Sequence, residues 1–171
     1  DNKLKWGCID VDIYPVDHQG FVKKLQEKNI KAIVFRSKSG GAHIFVFTKT
    51  FVPAIVMRAK LKIIASEIGY ARAEIYPKQD TINVARGDTG SFLNLPYYNY
   101  KDTVRYAFNS KGIKMSLEEF FNYHSEMAMT EEELTNFAIV IEKENLDYFK
   151  GMPPCLVTLL SDGVPNGQRN N

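Results

Sequence analysis

Cysteine is nearly absent: Cys8 and Cys155 are the only two in 171 residues, far apart and outside any Cys-x-x-Cys spacing. A disulfide framework and a zinc knuckle are therefore excluded. The sequence shows no signal-peptide pattern, so an intracellular, cytoplasmic protein of a bacterium or phage-infected host is expected. No apolar run approaches the roughly 18 residues that cross a bilayer, and no membrane partner is expected. Histidine is also scarce. His18 and His124 have no metal-ligand partners at useful spacing and read as ordinary surface or helix residues. A rolling-circle nicking enzyme would want two histidines around one hydrophobic residue, and the chain offers only His43-Ile44-Phe45. Acid is thin early on: residues 1–115 carry 19 Lys and Arg against 10 Asp and Glu, whereas residues 116–150 carry 2 against 9. The basic segment is compatible with a polyanionic partner, and the acidic one reads as a solvated helix face.

What is present suffices for one full core and a small appendage, with 44% hydrophobic and 25% charged residues. The missing initiator Met and the ending GQRNN suggest a piece cut from a longer protein. After a first strand, VDHQGFVKKLQEKNI spaces Val16, Phe21, Val22, Leu25 and Ile30 helically, with Asp17 as N-cap. KAIVFRSKSGGAHIFVFTKT gives two β-rich runs joined at Gly40 and Gly41, a hairpin. Pro53 suits the first turn of a helix that closes near Gly69, and RAEIYP is a short strand ended by Pro77. The order β-α-β-β-α-β predicts an α+β fold of ferredoxin-like or RRM-like plan, with C-terminal helices. Its first strand lies between the third and fourth, both helices cover one face, and the other face is open.

The stretch GCIDVDIYP places two acids inside a strand pattern. Side chains alternate along a strand, so Cys8, Asp10 and Asp12 share one face and Ile9, Val11 and Ile13 the other. By the same rule Ile44, Val46 and Ile75 face the helices, while His43, Phe45, Phe47, Glu74 and Tyr76 face away. On the second strand Val34, Arg36 and Lys38 form one set and Ile33 and Phe35 the other, so the basic pair can join the open face. Asp10, Asp12, His43 and Glu74 then converge. Carboxylates so clustered repel unless a cation stands between them, and hard oxygens suit Mg²⁺ or Mn²⁺. A divalent pair there can hold a nucleotide triphosphate while activating a 3′-hydroxyl. Two solvated acids on an exposed sheet are the plain alternative.

These residues resemble the archaeo-eukaryotic primase superfamily, in particular the primase-polymerases of phages, plasmids and mobile elements. The likeness rests on IDVD as the first motif, Gly41-Ala42-His43 as the second and Glu74 in AEIYPKQ as the third, with LNLPYY beyond them, and it spans roughly residues 5 to 100. Gly41 stands where some relatives have Ser, and Ser39 is a substitute for that hydroxyl. The resemblance implies a DNA primase-polymerase that transfers nucleotides from NTP or dNTP on a single-stranded DNA template, with a helicase or other replication protein as a further partner. Asp10, Asp12 and Glu74 would ligate Mg²⁺ or Mn²⁺ and His43 would reach the triphosphate. Phosphoryl transfer needs positioning and charge neutralisation, so donors and cations must surround the phosphates. Arg36, Lys38, Ser39, Gly40, Gly41, Lys78 and Asn94 are the further nucleotide-binding candidates, and Arg86 and Tyr97 the nucleic-acid-binding ones. Tyr98 and Tyr100 either stack bases or pack under a loop.

Residues 1–115 read as the catalytic core, 116–150 as a helical extension packed on it, and 151–171 as the opening of a truncated helical module. Ser116 with Glu119 and Thr130 with Glu133 form capping boxes for two helices, and Leu134, Phe137, Ile141, Leu146 and Phe149 make an apolar stripe. Two other functions share the pattern. An RRM-like RNA reader would stack bases on Phe45 and Phe47, but acids beside that platform repel phosphate. Another palm-type nucleotidyltransferase or a cyclase would share the carboxylates without needing His43.

Overall fold

The first segment forms β1 (Lys3–Val11), whose inward residues Ile9 and Val11 are almost wholly covered. The computed structural model describes residues 2–136. Asp17 caps α1 (His18–Glu27), its side chain accepting from the Gly20 amide, and Phe21, Val22 and Leu25 form the buried face. β2 (Ile33–Arg36) and β3 (Ala42–Pro53) follow, joined by a turn in which Gly40 takes φ +97°, a conformation that favours glycine. Pro53 ends β3 and stands at the N-cap of α2 (Ala54–Glu67), one position earlier than the first turn expected for it. β4 (Glu74–Tyr76) completes an antiparallel four-stranded sheet of order β2-β3-β1-β4, with β1 between the third and fourth strands.

α2 lies close on β1 because Gly7 has no side chain: a Cβ there would meet Leu61 at 2.6 Å and Met57 at 2.7 Å. The core on this side takes Ile9, Ile44, Val46, Leu61 and Ile64, all essentially unexposed. Each such side chain contributes about 1.5–3 kcal/mol by leaving water.

The other face is not open. Residues 93–127 cross it, and Tyr97, Ala107 and Met115 close a second cluster on Cys8, Ile33, Phe35, Phe45 and Tyr76. Helix α3 (Leu117–Met127), begun by the Ser116–Glu119 capping box, adds Leu117, Phe120 and Tyr123. There is thus no structural break at residue 115, and residues 1–136 form one unit. The cover buries Phe45 (4% exposed), which removes the stacking platform that an RRM-like reader would need. Register also corrects the second strand. Ile33 and Phe35 pair with Phe45 and His43, whereas Arg36 pairs with Ala42, so Arg36 belongs to the helix-side set. The Thr130–Glu133 capping box is formed and Leu134 is buried. The rest of that helix, with Phe137, Ile141, Leu146 and Phe149, and the module expected over 151–171 lie outside the described residues.

Candidate active site

Antiparallel pairing sets Asp10 opposite His43 on β3 and opposite Glu74 on β4, so three neighbouring strands place these residues in one row. His43 Nε2 lies 3.3 Å from Asp10 Oδ1, and both side chains are largely covered. That contact is within ion-pair range but lacks hydrogen-bond geometry, and Asp10 Oδ1 is a buried oxygen with no hydrogen-bond partner. Leaving such an atom unsatisfied costs about 1–3 kcal/mol or more for a charged group, which a cation seated beside it would offset.

Asp12 stands one residue past the end of β1 and is exposed. The Tyr14 hydroxyl lies 3.1 Å from Asp12 Oδ1 and 2.7 Å from Ser39 Oγ. The hairpin turn presses against the same carboxylate. A Cβ on Gly41 would fall 2.7 Å from Asp12 Oδ1 and 2.8 Å from the Val11 carbonyl oxygen, which explains a small residue two places before His43. His18 Nε2 donates to the Gly41 carbonyl at 3.0 Å and its ring stacks on Phe108, so the turn is held from α1.

Glu74 shares the row but turns its carboxylate outward. Lys78 Nζ at 3.0 Å and the Tyr76 hydroxyl at 3.0 Å donate to Oε2. These bonds, Lys78 first, hold the Glu74 carboxyl below its usual range and raise the Lys78 ammonium above its own. Burial pushes the Cys8 thiol well up, which leaves it an inert packing group between the Asp10 row and Trp6.

Asp10 and Asp12 both line two cavities. One, of about 510 Å³, also takes Ser37, Lys38, Ser39, His43 and Asn94. The other, of about 560 Å³, takes Tyr70, Arg72 and Glu74. Both volumes fall in the range of ligand sites, about 300–1,000 Å³. Among the described residues no three His, Cys, Asp or Glu side chains stand together as a group that could hold a metal ion. The donors nevertheless suit Mg²⁺, which keeps several waters and is commonly held by one or two carboxylates plus substrate phosphates. Asp10 and Asp12 are such a pair, whereas the Glu74 carboxylate is engaged by Lys78 and Tyr76.

The other expected site residues divide. Lys38, Ser39 and Asn94 line the His43 cavity, and Gly40 and Gly41 form its turn. Arg36 instead donates to the carbonyls of Val104 (3.1 Å) and Ser37 (3.3 Å). Lys78 borders the outer side of β4 with Arg58 and Lys62. Arg86 sits in an exposed 3₁₀ turn, Val84–Arg86. Tyr97 cannot present its ring to nucleic acid: it is buried, with its hydroxyl donating toward the Met115 carbonyl at 3.1 Å and accepting from the Ala107 amide at 3.2 Å. Tyr98 and Tyr100 are exposed, and Arg105 lies over the Tyr98 ring. Sequence reasoning missed Tyr14, His18, Ser37, Tyr70 and Arg72. Only Ser37, in SKSGG, carried a local signal; the others reach the site through tertiary packing.

Residues 1–135 match the model of the archaeo-eukaryotic primase domain of the TOTE conflict system. The chain belongs to this family: it is an archaeo-eukaryotic primase domain, and of the conflict-system kind. The match runs through α3, as the second hydrophobic cluster does. No curated protein matches the chain. Among the described residues no helix is long and apolar enough to cross a membrane.

Proposed function

We propose that this domain is a template-directed nucleotidyltransferase, a DNA primase-polymerase using NTP or dNTP on single-stranded DNA. The observation that carries the reading is the buried Asp10 oxygen without a hydrogen bond, beside Asp12 and His43 in one cavity. Family membership and the strand order support an RRM-like catalytic core as its frame.

Asp10 and Asp12 would hold Mg²⁺ or Mn²⁺. When bound, the ion neutralises phosphate charge and lowers the pKa of the attacking hydroxyl. His43 donates to the triphosphate from the opposite strand, and Lys38, Ser39 and the amides at Gly40 and Gly41 supply further donors around the phosphates. The 3′-hydroxyl gives its proton to solvent as its oxygen forms a bond to the α-phosphorus, the α–β phosphoanhydride bond breaks, and pyrophosphate leaves. Glu74 would complete the ligand set on parting from Lys78, which would then be free to meet phosphate.

The test is primer synthesis on single-stranded DNA, and extension of a preformed primer, with NTP or dNTP and Mn²⁺ or Mg²⁺. Wild type should yield product and Asp10→Ala/Asp12→Ala none. Equal product from both proteins, or none from wild type on the primed template, would reject the reading.

A further inference from the structure

β1 carries more than the acids on this face. Two and four residues before Asp10 stand Cys8 and Trp6, and Trp6 pairs with Phe47 on β3. At roughly 3.3 Å per residue, Trp6 lies about 13 Å along the strand from Asp10. The middle row is sealed, but the Trp6 row opens again: Trp6 is 40% exposed, and its ring is tilted on Phe45 at 5.6 Å.

Three hollows on this face share lining residues. The His43 cavity ends at Leu93 and Asn94, and the same two residues line an apolar hollow of about 320 Å³ that reaches Trp6, Phe47 and Phe121. Trp6 and Phe47 in turn line a groove of about 460 Å³ with Lys5, Lys49, His124 and Ser125. Neighbouring hollows thus share lining residues in sequence from the Asp10 cavity to Trp6, and the groove at the far end carries Lys5 and Lys49. Helix α3 is acidic, yet the side it gives this groove is His124, Ser125 and Ala128, while Glu118, Glu119 and Glu126 are not among the lining residues. Burial holds the His124 imidazole below its usual pKa, so it offers a neutral ring packed on Phe47 at 4.6 Å.

We infer that this groove is a single-strand subsite: it takes the nucleic acid strand leaving the Asp10 cavity, stacks a base on Trp6 and pairs its phosphates with Lys5 and Lys49. The chemistry is that of single-strand sites generally, in which a cationic groove follows the backbone and aromatic rings accept any base. An apolar peptide would fit the hollow but would not match the charge of Lys5, which lies over the Phe51 ring at 5.0 Å, or of Lys49, which acts on the Glu133 carboxylate. The inference rests on the nucleotidyltransferase reading for what the strand does there, though not for whether it binds.

Trp6 is the only tryptophan of the chain, so its fluorescence reports the groove directly. Oligothymidine titrated into the full chain should quench it saturably and more weakly as salt rises. In Lys5→Glu/Lys49→Glu, affinity should fall at least about tenfold and the salt slope should shrink by about 1.4, two contacts at roughly 0.7 each. The melting temperature and Mn²⁺–nucleotide binding of that variant should match wild type. In primed extension, Trp6→Ala should raise the KM for template and leave that for nucleotide unchanged. Absence of quenching, quenching indifferent to the charge reversal, or quenching by an acidic peptide in place of oligothymidine would overturn the subsite. Quenching by wild type without any synthesis would sink the catalytic reading and leave the groove standing.

Discussion

The two faces of β1 are built from alternate residues of one strand, yet they differ in kind. Toward the helices, Ile9 and Val11 pair with Ile44 and Ala42, and every one of these is at most 1% exposed. On the other side Trp6 is half open, Cys8 is sealed, and Asp10 keeps a buried oxygen without a hydrogen bond. The difference lies in the cover. α1 and α2 are regular and close their face completely, whereas residues 93–127 are mostly irregular and close theirs only between the two ends. One face is therefore packed throughout while the other retains polar groups at a cost in stability, as sites of function commonly do.

Asp10→Asn gives the largest expected effect and the sharpest separation of the faces. Nucleotide incorporation should fall by on the order of 10³-fold, the loss typical of removing a charge that organises the reacting groups. Stability should hold or rise, because a neutral amide relieves the burial of an unsatisfied carboxylate. Parallel melting and extension assays check this. A fall in melting temperature without loss of turnover would make Asp10 a structural residue and erase the distinction. Ile44→Ala, one position along β3 from His43 but on the opposite face, should do the converse. It should cost about 2–4 kcal/mol in chemical unfolding with turnover per folded molecule preserved.

The helix-side face and the Asp10 row were legible in the sequence for one reason: period-two alternation needs only contrast between neighbours, and IDVD and AHIF have it. β2 lacks that contrast. Ile33, Val34 and Phe35 are all apolar because the strand is buried on both sides, so alternation could not orient Arg36. The cover was invisible because residues 93–115 have no repeat, and Tyr97, read as a ligand of nucleic acid, proved to be a core residue tied to backbone. Glu74 was assigned to its row correctly, but its rotamer is decided by Lys78 four residues on. The His18 contact to Gly41 spans 23 residues of chain and leaves no local trace.

Lys60 is the exception on the packed face, and it offers a weaker test. It lies on the sheet side of α2, only 2% exposed, and burial lowers its pKa from the ordinary 10.5 to about 7. The unfolded chain therefore binds this proton more tightly than the folded one. Stability from this group is lowest below about pH 7 and is recovered as pH rises from about 7 toward 10.5. Lys60→Met should stabilise by on the order of 2 kcal/mol at pH 7, with the gain over wild type shrinking toward pH 10.5. Urea unfolding at several pH values reads this directly, and a constant difference across the window would contradict it.

The smallest expected effect falls where the polar row meets the hairpin. Gly41 has an ordinary, non-positive φ, so an added methyl is opposed only by what it would touch: the Asp12 carboxylate at 2.7 Å, the Val11 carbonyl oxygen at 2.8 Å and the Ser37 hydroxyl at 3.1 Å. The carboxylate belongs to an exposed side chain and can swing away, but the carbonyl cannot without moving the end of β1. Gly41→Ala should displace Asp12 more than it disturbs the packed face. The expected result is about a tenfold fall in kcat/KM, roughly 1.4 kcal/mol, with an unfolding free energy reduced by less than about 1 kcal/mol. Because the displacement acts on Asp12 before Asp10, a higher Mn²⁺ concentration should recover part of the rate in Gly41→Ala and none in Asp10→Asn. Equal rescue of both would mean that the turn does not position Asp12, and that the tightness at Gly41 serves only to close the hairpin.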